Sequence, residues 1–119
     1  MQKKTTIKKR LDKLWSGIIR SKGNCEVCGK REYLNAHHIR GRKALNTRWD
    51  LKNGVCLCAG CHTFKNQSAH QDPLWFNDWL KLNKPEVIEH LKDKRWKIKQ
   101  WSIDELLLLE EGLKLLKEH

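Results

Sequence analysis

No apolar run in the sequence approaches the roughly eighteen residues that a membrane-spanning helix needs. The opening stretch, MQKKTTIKKRLDKLW, also lacks the apolar segment of a signal peptide, so a cytoplasmic chain without membrane contact is expected. Internal repeats and low-complexity tracts are missing, which leaves no repeat architecture to consider. Acids are scarce: 14 Asp and Glu stand against 25 Lys and Arg, a formal charge of +11 that suggests a polyanionic partner. What is present suffices for one modest core. The 119 residues are 39% hydrophobic and 33% charged, too apolar for disorder and close to the size of a single domain, 1–119.

The five cysteines are an odd number, and four of them fall into two Cys-x-x-Cys pairs, Cys25/Cys28 and Cys58/Cys61. In a chain without an export signal such pairs read as a metal site and not as a disulfide framework. Two knuckles of this kind can set four thiolates tetrahedrally around a structural zinc ion, with no position left for substrate. The 29 residues between Cys28 and Cys58 exceed what a simple ribbon needs, so the insert should be a structure of its own. Cys56 is left over and reads as a small buried apolar side chain.

Hydrophobic periodicity predicts helices around two short strands. Ile7, Leu11, Leu14, Trp15, Ile18 and Ile19 give an amphipathic helix over 6–21, whose other face holds Lys8, Lys9, Lys13 and Arg20. Residues 1–31 carry ten bases against two acids, whereas residues 81–119 are nearly neutral with nine against eight. Strands are predicted over 32–39 and 54–58, followed by a helix over 59–69. Asp72-Pro73 and Pro85 open helices over 73–82 and 86–94, and the capping box Ser102-Ile103-Asp104-Glu105 opens a last one over 103–117. Leu106, Leu109, Leu113 and Leu116 form one stripe of that helix, read as core packing first and as a docking or dimer face second. Among the six tryptophans, Trp15, Trp75 and Trp79 read as core. Trp96 and Trp101 flank the cationic KIKQ and are equally open to stacking on bases.

His37-His38 ends the first predicted strand, Asn53 follows fifteen residues after His38, and His62 comes nine after Asn53. Each has a plain reading alone, as a surface or core histidine or as an Asn53-Gly54 turn. The set is harder to dismiss. Adjacent histidines in an extended segment point to opposite faces, so one can bind a metal while the other meets a water or substrate. His62, directly after Cys61, is tethered to the second knuckle and placed to complete that metal site.

The stretches CEVCGK, AHHI, TRWDLKNGVCLCAGCH and SAHQDPLWFNDW, across residues 25–80, resemble the HNH endonucleases with their ββα-metal fold, in particular phage-encoded members. The resemblance implies an α+β fold: a small zinc-stapled ββα-metal core over 25–70, flanked by the N-terminal helix and by C-terminal helices over 73–117. It implies that His37 and His62 bind a catalytic divalent metal (Mg²⁺, Mn²⁺, Ni²⁺ or Zn²⁺). It implies too that His38 is the general base for the attacking water and that Asn53 holds the loop between the strands. Some members carry a further histidine four residues after the one in CxxCH. Here that position is Asn66 and the next histidine is His70, so the third ligand is His70 or Asn66. Arg40, Arg42, Lys43 and Arg48 lie beside His38 as candidates for gripping flanking phosphates, with Lys8, Lys9 and Lys13 as further DNA contacts.

These readings converge on a metal-dependent endonuclease for double-stranded DNA, expected as a monomer that nicks one strand. A non-catalytic zinc-binding nucleic-acid module is the alternative, as is an accessory factor of a phage packaging or recombination machine with terminase or recombination proteins as partners. The His-His, Asn and CxxCH set favours the enzyme, because a pure binding module has no need of it. A phage origin would place the protein in the host cytoplasm.

Overall fold

The apolar pentapeptide GVCLC forms strand β2, Gly54–Cys58, and every residue in it is buried. It pairs antiparallel with β1, Leu34–His38, in a register that sets Leu34 opposite Cys58 and His38 opposite Gly54. Core lies on both faces of this two-stranded sheet. On one face Cys56 joins Ile7, Leu11, Trp15 and Ile19 of α1 (Lys4–Arg20), with Leu106 and Leu113 of α4 (Ile103–Glu118). On the other face Val55 and Leu57 meet Phe76 and Leu80 of α2 (Pro73–Asn83), together with Cys25, Cys58 and Cys61. Helix α3 (Pro85–Lys94) packs beside α2. The computed structural model describes residues 2–118, and no helix among them is long and apolar enough to cross a membrane. The architecture is the expected α+β arrangement, a small sheet between flanking helices.

Helix α1 lies on β2 because of Gly54. This residue is extended (φ −127°) and opens the strand, so Asn53-Gly54 is not a plain turn and the glycine has a spacing role. A Cβ at this position would lie 2.4 Å from Ile19 Cδ1 and 2.7 Å from Trp15 Cζ2, so only glycine admits the helix this close. Arg10 then fastens α1 to α4 through a bidentate pair with the buried carboxylate of Glu110, at 2.6 and 2.9 Å.

One expectation is corrected. The helix over 59–69 does not form. A single π-helical turn, Gly60–Phe64, is closed by the Lys65 N–H on the Gly60 carbonyl, and the chain then folds back. Ala69 N–H donates to Cys61 O at 2.8 Å, and His70 N–H to His62 O at 3.1 Å. A continuous helix would have carried His70 about 12 Å along the axis from His62. The leucine stripe packs as its first reading expects over most of its length: Leu106 and Leu113 are buried, Leu109 packs against them, and Leu116 alone of the four is exposed. Trp101 is also structural, its Nε1 donating to Leu45 O, whereas Trp96 stands 82% exposed.

Asp12 of α1 ties that helix to the segment before β2. Its carboxylate accepts from Arg48 Nε and Nη2 (3.0 and 2.7 Å), from Trp49 Nε1 (2.8 Å) and from Arg42 Nη2 (2.7 Å). Burial alone would push this carboxyl up. Hydrogen bonds from Arg48 and Trp49 and the charges of Arg48 and Arg42 outweigh it and hold the group below the usual aspartate range. Replacing Asp12 by Asn should therefore destabilise the fold by about 2 kcal/mol at neutral pH, the scale of hydrogen bonds to a charged group. A carboxylate whose folded pKa is depressed stabilises above its unfolded value, about 4, and loses that contribution as pH falls through the folded value. Urea melts of the wild type and the variant should thus differ at pH 7 and converge in acid. A difference that persists at the lowest pH would mean the effect is one of shape and not of charge.

Candidate functional site

The two Cys-x-x-Cys pairs meet at the end of β2. Cys58 closes the strand, Cys61 lies in the π-helical turn, and Cys25 and Cys28 come from the segment after α1. All four sulfurs lie within 4.8 Å of one another, and none is in a disulfide. Cys28 Sγ and Cys58 Sγ are 3.7 Å apart. A tetrahedron with zinc–sulfur bonds of about 2.3 Å requires a separation of about 3.8 Å, so the sulfurs are set for such an ion. Burial works against a thiolate at Cys25, but backbone hydrogen bonds from Cys28, Cys58 and Val27 outweigh it and bring the thiol down to about 7. Lys65 Nζ lies 3.7 Å from Cys61 Sγ, where its charge offsets the excess negative charge of a four-thiolate centre. Glu26 locks the first knuckle to the sheet: its backbone N–H donates to Cys56 O, while its carboxylate accepts from Cys56 N–H and pairs with Lys22 and Lys84.

A second cluster forms on the other edge of the same turn. His37 of β1, His62 of the turn and His70 of the returning chain bring one ring nitrogen each within 4.8 Å of the others. His62 Nε2 and His70 Nε2 are 3.1 Å apart, and nitrogens about 2.1 Å from a shared zinc-sized ion stand about 3.0–3.4 Å apart. Burial lowers His37, with the neighbouring histidines adding to the effect, to a pKa of about 3. Burial and His70 lower His62 as well. Neutral imidazoles are the form that donates to a metal, so this set fits a divalent cation. His70 is the residue delivered to this cluster by the fold-back, while Asn66 lies on the exposed bend before it.

His38 faces away from that cluster, as the alternation of a strand demands. Its ring lies flat on Trp15, centroids 3.8 Å apart and planes 9° from parallel. Trp15 is itself fixed by its Nε1–H on Asp50 O (2.9 Å). His38 Nε2 is 2.9 Å from the Arg48 carbonyl. A carbonyl only accepts, so Nε2 carries the proton and Nδ1 keeps its lone pair. Burial also holds this imidazole below the usual histidine pKa, against the opposing pull of that carbonyl. Asn53, fully buried, braces the connecting loop: its Oδ1 accepts from Arg40 N–H (2.7 Å), and its Nδ2 donates to Arg40 O and Thr47 O (3.0 Å each). His37, His38 and His70 open into one cleft of about 370 Å³, walled by Gly41, Phe76 and Asn77.

The family model of the HNH endonucleases matches residues 25–68. Residues 25–68 thus match an HNH endonuclease domain. No curated protein and no solved structure matches the chain. The HNH match covers both knuckles, His37, His38, Asn53 and His62, and stops two residues before His70.

Around the matched segment the four nominated cations differ in state. Arg48 is committed to Asp12 and only 15% exposed at its side chain. Arg42 shares that acid but is 61% exposed, Lys43 is exposed, and Arg40 bonds only neutral acceptors. Lys9 and Lys13 are exposed on α1 and Lys8 is half-buried. Trp15 is the site residue that sequence reasoning missed. It falls in the apolar period of α1, which announces burial but not the histidine it covers.

Proposed function

We propose that this protein is a metal-dependent endonuclease hydrolysing phosphodiester bonds of double-stranded DNA, one strand per engagement. The observation that carries the reading is the convergence of His37, His62 and His70 on one another beside a cleft that His37, His38 and His70 line, with His38 Nε2 engaged by the Arg48 carbonyl and Nδ1 left as its basic nitrogen. His37, His62 and His70 hold the divalent cation of the site; Mg²⁺, Mn²⁺, Ni²⁺ and Zn²⁺ are the candidates. Bound there, the ion supplies a Lewis acid for charge developing on the phosphate and on the leaving 3′ oxygen. His38 takes the proton of the attacking water at Nδ1. Trp15 and the Arg48 carbonyl fix the plane and tautomer of that ring, and Asn53 keeps the 40–47 loop from swinging across it. The four cysteines hold a structural zinc that fastens the turn bearing His62 to the sheet bearing His37 and His38.

Supercoiled plasmid tests this directly. With one His38 and one histidine trio per chain, a monomer must release and rebind before cutting the second, antiparallel strand. Open-circle DNA should accumulate first, with linear product lagging. Linear product from the outset would require a two-fold dimer with paired sites. No cleavage with any of the four ions would leave a zinc-stapled nucleic-acid-binding module instead.

A further inference from the structure

We infer that a cationic groove, running from the histidine cleft across α2 and α3 to the connection between α3 and α4, binds the phosphate backbone of the DNA flanking the scissile bond. The inference rests on the nuclease reading above and names a contact surface for its substrate. Three adjoining depressions make up the groove. The cleft at His37 and His38 shares Ile39 and Asn77 with a second hollow of about 430 Å³, which in turn shares Arg40 and Arg95 with a third of about 380 Å³. No carboxylate lines any of the three.

The charge of this surface is not evident from composition. Residues 81–119 carry nine bases against eight acids, close to neutral. Folding separates them: Glu110 turns inward to Arg10 and Glu105 pairs with Lys99, while Lys92 and Lys97 meet Glu89 and Asp93 only at the rim. Arg40, Lys43, Lys81 and Arg95 line the groove without a carboxylate partner among the described residues. Arg40 links the parts, donating to Asn46 Oδ1 and to the Arg95 carbonyl, both neutral, so its charge stays uncompensated. Trp96, 82% exposed with the Arg95 guanidinium 5.1 Å from its ring centre, adds a flat apolar edge beside these cations. A strand with one phosphate at the histidine trio continues on either side. The groove offers it a run of positive charge where a phosphate loses little by leaving water.

The test is binding, which does not depend on turnover. A labelled duplex oligonucleotide is titrated by anisotropy against the full-length His38→Ala protein over a range of salt. The same protein carrying Lys43→Ala, Lys81→Ala and Arg95→Ala is compared with it. All three side chains are exposed, and matching thermal melts check that the fold is retained. Each phosphate contact contributes about −0.9 to the slope of log affinity against log salt, so loss of three should flatten the slope by about 2–3 and lower affinity on the order of 10²-fold near 0.1 M salt. Unchanged affinity and slope, or weaker binding with an unchanged slope, would overturn the inference. If DNA binding falls as expected but the wild type cuts no plasmid, the groove stands and the nuclease reading fails. If the wild type cuts and the triple variant binds as before, the groove alone is lost.

Discussion

Protein washed with a mild chelator should keep about one equivalent of zinc, and Cys25→Ser should fail to fold at its centre. The expectation follows from where the sulfurs sit. Cys25, Cys58 and Cys61 are each no more than 2% exposed, and they are members of the core cluster that also holds Val55, Leu57, Phe76 and Leu80. Without an ion, four sulfurs at contact distance either keep their protons in an apolar setting or repel as thiolates. Structural zinc in small domains contributes on the order of 10 kcal/mol or more, comparable to the whole stability of a domain this size. Elemental analysis with a folding assay on the same sample checks both halves. Folded, washed protein with little zinc, or a Cys25→Ser variant that melts like the wild type, would show that the cysteines hold no essential ion.

His38→Ala should remove cleavage and little else. Loss of a general base lowers rates by about 10²–10⁴-fold. The histidine contributes one hydrogen bond, to the Arg48 carbonyl, and a stack on Trp15, whose position is held independently by Asp50. The fold and the affinity for DNA should therefore survive, since the cations proposed to contact phosphate lie elsewhere. Single-turnover cleavage beside an anisotropy titration separates the two. Wild-type turnover in the variant would mean that another group takes the proton.

Much of this was legible in the chain because the informative residues lie close together in sequence. The knuckle spacing, the pairing of His37 with His38 and the run GVCLC each encode local geometry, and each occupies the structure in the form the spacing predicts. The fold-back after Phe64 was not legible. Residues 61–69 contain neither Gly nor Pro, and what ends the helix is tertiary: the backbone pairs of Ala69 with Cys61 and of His70 with His62. The basic groove was hidden for a related reason. Charge counted along the chain averages over faces, whereas in the fold Glu110 pairs with Arg10 and Glu105 with Lys99, and Lys81 and Arg95 line the hollow beside Arg40. Gly54 shows the same limit, since its spacing role depends on Ile19 and Trp15, residues more than thirty positions away.

The flat contact between Trp15 and His38 has a consequence for modularity. Residues 25–68 are the part that matches the HNH family, yet the ring that steadies the histidine at Nδ1 comes from a helix outside that span. Spliced alone into another protein, the segment would bring its cysteines and His37 and His62 but leave the imidazole of His38 without its stacked partner. The N-terminal helix is also the one clamped to α4 by Arg10 and Glu110. On the proposed mechanism, loosening the far ends of the chain would therefore slacken the ring of His38 before it reached the four sulfurs, and any cutting would fade with heat ahead of the melting of the cysteine centre.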